Sequence, residues 1–188
     1  MRWVLNCMTE GHKSGFISVV GRPNVGKSTL INTILKSKVS IVTRKPQTTR
    51  HRILGIYTQL NFQAIFVDTP GLHRKANKMM NKMMNKTATN ALMEADLNLF
   101  LCEAKSWTEE DQDVLDRIKK STVPTIMLLN KIDQVHPKEI LLEKLAEISA
   151  RHNFHEVIPV TARRRDSLKI LIDLIPHYLP LSPQLYSG

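Results

Sequence analysis

A chain of 188 residues can bury one substantial core but is short for two domains. Hydrophobic residues at 42% and charged residues at 23% argue against a disordered polymer, and no apolar run approaches the ~18 residues of a membrane-spanning helix. The net charge of +10, from 27 basic and 17 acidic residues, suits a polyanionic partner. Nucleotide, RNA and an anionic membrane surface all meet that description, and charge alone does not choose among them. The two cysteines, Cys7 and Cys102, have neither C-x-x-C nor metal-site spacing, which reads as a reduced, cytosolic chain.

Residues 1–15 read as an irregular, disordered lead-in, with Met8 as an alternative start. The apolar stretch there is too short and interrupted for a signal peptide. Phe16–Val20 reads as a strand, and Leu30, Ile31, Ile34 and Leu35 mark a helix that fades near Lys36 and Lys38. Between them lies Gly21-Arg22-Pro23-Asn24-Val25-Gly26-Lys27-Ser28-Thr29, the pattern G-x-x-x-x-G-K-[ST] in its strand–loop–helix context. Residues 39–50 lack periodicity and read as a mobile loop. Ile53–Tyr57 and Phe62–Val67 are expected as two strands of an antiparallel hairpin, because their connection is short.

Asp68-Thr69-Pro70-Gly71 ends the second of these strands in a turn. Residues 77–86 repeat Asn-Lys-Met-Met, which places Met79, Met80, Met83 and Met84 on one helical side as a core stripe or a partner surface. Asp96–Cys102 is the next strand. Thr108-Glu109-Glu110-Asp111 resembles a capping box opening a helix through Val114, Leu115 and Ile118. The unbroken apolar run Thr125–Leu129 reads as a strand buried on both faces. A helix from Pro137 carries Ile140, Leu141, Leu145 and Ile148, Val157–Val160 forms a short last strand, and Asp166 is expected to cap a final helix through Leu168, Leu171, Ile172 and Ile175. Strands alternating with helices predict an α/β fold of the P-loop NTPase type. Its expected form is a three-layer, mostly parallel sheet with one antiparallel edge strand and helices on both faces. The expected limits are 16–180 for this domain and 181–188 for a C-terminal tail.

Each motif follows a strand, where α/β sheets bind their ligands. In the first loop, glycines let consecutive N–H groups face a polyphosphate, Lys27 reaches the outer phosphates, and the Ser28 hydroxyl suits Mg2+. The Asp68 carboxylate suits the magnesium shell, and the Gly71 N–H can approach a terminal phosphate. In Asn130-Lys131-Ile132-Asp133, the Asp133 carboxylate matches the N1–H and exocyclic amine of guanine. Adenine lacks that donor pair, so GTP or GDP is expected over ATP. The Lys131 stem can lie over base or ribose, and Asn130 can tie its loop back to the phosphate loop. Thr48 or Thr49 could deliver a hydroxyl to magnesium as a nucleotide-dependent switch, and the two remain alternatives. Leu72 cannot orient water by hydrogen bonding, so the nucleophile is positioned otherwise or hydrolysis is slow. Arg44, Arg50 and Arg52 read as surface or RNA-facing cations.

At these motifs, together with Gln47-Thr48-Thr49-Arg50-His51-Arg52 and Asp68-Thr69-Pro70-Gly71-Leu72-His73, the chain resembles the Era family of bacterial GTPases over about Gly15 to Pro180. The resemblance implies GTP hydrolysis coupled to small-subunit ribosome assembly and binding to 16S ribosomal RNA. It also implies a cytoplasmic location with peripheral contact at the inner membrane. Asn24 matches the asparagine that helps hold K+ in potassium-activated relatives, which adds Asn24 to Lys27 and Gly71 as candidate catalytic residues. The family's last base-contacting motif falls at Thr161-Ala162-Arg163, where a threonine replaces serine and the usual nearby glycine is missing. The family continues into a C-terminal KH domain, and the sequence to Gly188 reads as a G domain without it. Direct ribosomal RNA binding by this polypeptide is therefore not expected, and a monomer is. The alternative reading is a nucleotide-responsive binding module with negligible turnover. An ATP-using phosphotransferase is disfavoured by Asp133.

Overall fold

The structure, a computed structural model, describes residues 11–36, 52–68 and 94–186, without the side chains of Arg52 and Asp68. Six strands form one sheet in the order β2-β3-β1-β4-β5-β6. They are β1 (Lys13–Val20), β2 (Arg52–Thr58), β3 (Phe62–Asp68), β4 (Leu97–Glu103), β5 (Thr125–Asn130) and β6 (Glu156–Pro159). All neighbours run parallel except β2 and β3, whose short turn forces the antiparallel hairpin expected from the sequence. The helices are α1 (Lys27–Leu35), α2 (Glu109–Ile118), α3 (Glu139–Arg151) and α4 (Lys169–Tyr178).

Strand alternation decides which side chain meets which helix. Leu97, Leu99 and Leu101 of β4 pack with Ile126 and Leu128 of β5 on the face covered by α1 and α4. Phe100, Cys102, Met127 and Leu129 point the other way, against Val114, Leu115 and Ile118 of α2 and Ile148 of α3. Because both faces are covered, six of the seven β4 residues are buried, and apolar side chains point to both faces with Asn98 as the buried polar exception. Each such fully buried large side chain contributes about 1.5–3 kcal/mol. Burial also pushes the Cys102 thiol far up, so it behaves as a small apolar side chain.

The capping box at α2 forms as expected. Thr108 Oγ1 accepts from the Asp111 N–H, and the Asp111 carboxylate accepts from the Thr108 N–H at 3.0 Å. Strand ends differ from the sequence reading by single residues, and three boundaries differ by more. β1 starts at Lys13, within the expected lead-in, because β3 lies alongside and pairs Lys13, Ser14 and Gly15 with Phe62, Gln63 and Ala64. α3 starts at Glu139 rather than Pro137, and Ile140 faces outward at 37% exposure while Ile148 is buried. Asp166 does not cap the final helix. A 3-10 turn over Arg165–Leu168 intervenes, and α4 begins at Lys169 with no side-chain cap.

The residue after β1 opens the phosphate loop, and the last residue of β5, Asn130, opens the guanine-type motif. With parallel strands, both leave the same edge of the sheet, together with the end of β6.

Candidate nucleotide site

The phosphate loop turns from β1 into α1 on two glycines with positive φ. Gly21 has φ +147°, and a Cβ there would lie 2.3 Å from the Leu101 carbonyl oxygen. Gly26 has φ +108°, and its Cβ would lie 2.4 Å from Asn130 Nδ2. Both positions therefore require glycine for conformation and for space. Asn24, at the exposed crest of the loop, is left-handed with φ +64°, a conformation asparagine tolerates better than most residues. Val25 is buried and anchors the loop to the core.

Gly26 is the N-cap of α1, and no side chain caps that helix. An anion is the natural complement of such an end. Lys27 Nζ donates to the Gly21 carbonyl at 2.8 Å and the Arg22 carbonyl at 2.7 Å, so its ammonium sits over the loop, where a phosphate oxygen could exchange for these carbonyls. Ser28 is exposed in the first turn, and Thr29 lines the cleft beside it. Pro23 is exposed on the outer side.

Asn130 holds the two halves of the site together. Its Nδ2 donates to the Val25 carbonyl at 2.7 Å, and its Oδ1 accepts from the Ala162 N–H at 2.9 Å. One buried side chain thus joins the phosphate loop to the loop after β6, as the sequence predicted for the first of these contacts. Lys131 is left-handed, φ +63°, and its Nζ donates to the Asn24 carbonyl at 3.0 Å and to Glu103. Its stem consequently borders the cleft from one loop to the other. Ile132 begins a 3-10 turn, and Asp133 is exposed within it, with one carboxylate oxygen accepting from Thr161 Oγ1 at 3.3 Å.

Asn24, Gly26, Thr29, Asn130, Lys131, Asp133, Gln134, Thr161, Ala162 and Arg163 line a cleft of about 150 Å³. Residues distant in sequence thus converge with a left-handed loop and helix terminus at one end and a carboxylate at the other. Such a cleft can take a polyphosphate and a base carrying two adjacent donors. Among the described residues no group of three or more His, Cys, Asp or Glu side chains could hold a metal ion. Among the described residues, the Ser28 hydroxyl, exposed in the first turn of α1, is the candidate to hold a metal here.

The loop Thr161-Ala162-Arg163, which lacks the usual glycine, keeps its shape through other bonds. The Thr161 N–H donates to Ser167 Oγ at 2.7 Å, and the Arg164 N–H donates to the Thr161 carbonyl at 2.8 Å. Ser167, Glu103 and the cleft-lining Gln134 are contributors the sequence reading missed. Glu103 was within reach of the strand-end rule, as an acid at the carboxyl end of β4. Ser167 carried no local signal beyond its place before a helix.

Burial disfavours the Glu103 carboxylate, yet hydrogen bonds from Lys131 and Arg22 outweigh it and hold the carboxyl below its ordinary range. Arg22 likewise loses hydration on burial, and Asp111 and Glu103 together raise its pKa regardless. Asp68 ends β3 next to β1. Thr48, Thr49, Thr69, Pro70, Gly71, Leu72, the methionine stripe, Arg44 and Arg50 lie outside the described residues.

Residues 16–131 match the family model described as 50S ribosome-binding GTPase. The GTPase Era of Actinobacillus pleuropneumoniae serotype 5b is 45% identical over 161 residues, covering 86% of this chain and 53% of that protein. Among solved structures, Era in complex with MgGDPNP and nucleotides 1506–1542 of 16S ribosomal RNA superposes with a TM-score of 0.77 at 37% identity, covering 94% of this chain and 60% of that one. An Aquifex aeolicus Era variant bound to GDP and AlF4− gives 0.75 at 37% identity, covering 93% and 60%. The chain therefore spans about half the length of the curated relatives it matches.

Proposed function

The chain belongs to the family of 50S ribosome-binding GTPases, and from that premise we propose that it is a GTP-binding and GTP-hydrolysing switch of the Era type. Its implied setting is cytoplasmic, in the assembly of the small ribosomal subunit. The observation that carries the reading is the Asn130 bridge, which holds the phosphate loop at Val25 and the base loop at Ala162 around one cleft with Asp133 at its far end.

Within that cleft the loop N–H groups and Lys27 would take the β- and γ-phosphates, and Asp133 would take the guanine edge with Thr161 aligning it. Ala162 and Arg163 would border the base. Ser28 would hold Mg2+, with Asp68 acting through its shell. The exposed Ser28 hydroxyl at the uncapped start of α1 fits that ion, which when bound neutralises charge on the phosphates. Asn24, exposed beside the same loop, is the candidate for a K+ site, with Gly71 approaching the terminal phosphate.

The longer Era protein solved with MgGDPNP and nucleotides 1506–1542 of 16S ribosomal RNA supports ribosomal RNA as a partner. For this span, RNA contact is a proposal without a described RNA-binding element. No described helix is long and apolar enough to cross a membrane, and peripheral contact with the inner membrane rests on the resemblance alone.

Base preference provides the test. Titration should show GDP bound and ADP not, and Asp133→Asn should transfer preference from GDP to xanthosine diphosphate by roughly 10⁴-fold, the scale set by unpaired polar groups in a specific site. Retained GDP preference in that variant would remove the assigned contact. Single-turnover hydrolysis in K+ against Na+ then separates an enzyme from a module that binds without turnover, and equal rates in the two salts remove the K+ role of Asn24.

A further inference from the structure

β4 lies between β1 and β5 in the sheet. The phosphate loop follows β1, and the base loop follows β5, so the carboxyl end of β4 opens between them. The residue at that end is Glu103. Its Oε2 accepts from Arg22 Nη2 of the phosphate loop at 2.8 Å, and its Oε1 accepts from Lys131 Nζ of the base loop. One carboxylate oxygen serves each loop.

The arrangement extends in two directions. Lys131 Nζ also donates to the Asn24 carbonyl. Asn24 and Lys131 are the two non-glycine residues with positive φ among those described. Arg22 Nε donates to Asp111 Oδ2 at 3.2 Å, and the same oxygen accepts from the Thr108 N–H and Oγ1 at the start of α2. Asp111 is fully buried, and the side chains of Arg22 and Glu103 are only 16% and 19% exposed. Solvent and salt screen such a network far less than a surface pair.

We propose that Glu103 is a positioning residue that couples the phosphate loop to the base loop, so that filling one half of the cleft tightens binding in the other. Ordering either loop around its part of a ligand fixes the carboxylate, and a fixed carboxylate lowers the cost of ordering the other loop. A neutral side chain at this position leaves the Arg22 and Lys131 cations facing each other without the charge between them, and each loop then orders alone. The ligand class is a nucleoside di- or triphosphate, whose two ends lie in the two halves. The inference rests on the guanine-nucleotide reading of the cleft.

The test uses the 188-residue chain with guanosine and inorganic pyrophosphate as probes for the two halves, and GDP as the ligand that spans them. In the wild-type chain, saturating guanosine should raise pyrophosphate affinity by roughly 5- to 150-fold, with the reciprocal effect equal. Glu103→Gln should bring that factor close to one and speed GDP release by a similar factor, while Glu103→Asp, which keeps the charge, should recover part of both. Thermal midpoints of the variants show whether the fold is intact. Undiminished coupling in a folded Glu103→Gln chain overturns the inference and leaves the nucleotide reading standing. Equal loss in Glu103→Gln and Glu103→Asp, with lowered midpoints in both, assigns Glu103 a purely structural role and also overturns it. A wild-type chain that takes up no GDP removes the nucleotide reading, and this inference with it.

Discussion

The phosphate loop and the base loop face one cleft but are held by different means. The phosphate loop is shaped by its own residues: two glycines with positive φ, a buried Val25 and a helix that starts on Gly26. The base side is held by side-chain hydrogen bonds that tie it to other segments. Asn130 reaches back to Val25 and forward to Ala162, Ser167 holds Thr161, and Glu103 receives Lys131. A local motif can therefore specify a backbone trap for phosphate, whereas discrimination of a base needs a braced assembly of three strand ends.

Breaking the shared brace should have the largest effect. Asn130→Ala leaves the Val25 carbonyl and the Ala162 N–H without their partner, at about 1–3 kcal/mol for each buried group. The expected loss is about 2–6 kcal/mol in denaturant unfolding, with nucleotide affinity lost in step. A variant of wild-type stability would mean that the two loops hold themselves.

Gly21→Ala tests the phosphate side alone. The new Cβ meets the Leu101 backbone carbonyl, which belongs to the central strand β4 and cannot yield as a flexible side chain would. Strain and overpacking together should cost about 2–4 kcal/mol. The base-side contacts should survive, so the Thr161–Asp133 hydrogen bond should persist in the spectra of a folded variant while phosphate affinity falls.

Acid titration sharpens the comparison with the smallest effect. The folded Glu103 carboxyl titrates below its unfolded value of about 4.3. Its contribution is thus fully present above about pH 4.3 and is lost as pH falls through the lowered folded value. Because the pair is partly exposed, the change should be on the order of 1 kcal/mol or less. Urea midpoints followed against pH in wild type and Glu103→Gln check the sign. The variant should lack this part of the acid slope, and identical slopes would show that Glu103 does not contribute it.

Much of the fold was legible because its signals are local or periodic. The run Thr125–Leu129 announced a strand covered on both faces, and Thr108 with Asp111 announced the start of α2. The short link between Tyr57 and Phe62 announced the hairpin. What misled was tertiary. Lys13–Gly15 have no strand-like pattern, yet β3 supplies backbone partners and they extend β1. Asp166 has the chemistry of a cap, yet a 3-10 turn separates it from α4, and the neighbouring Ser167 is used instead to hold the base loop.

By itself the sequence determined the αβ alternation, the phosphate loop with its two required glycines, and the residue types suited to guanine. These depend on φ, on side-chain size and on periodicity, all of which act within a few residues. Only the tertiary structure decided that Asn130 joins both halves of the cleft and that Glu103 stands between Arg22 and Lys131. Those contacts follow from strand order. Placing β4 between β1 and β5 brings together groups 28 to 105 residues apart, and no local pattern encodes which strands become neighbours.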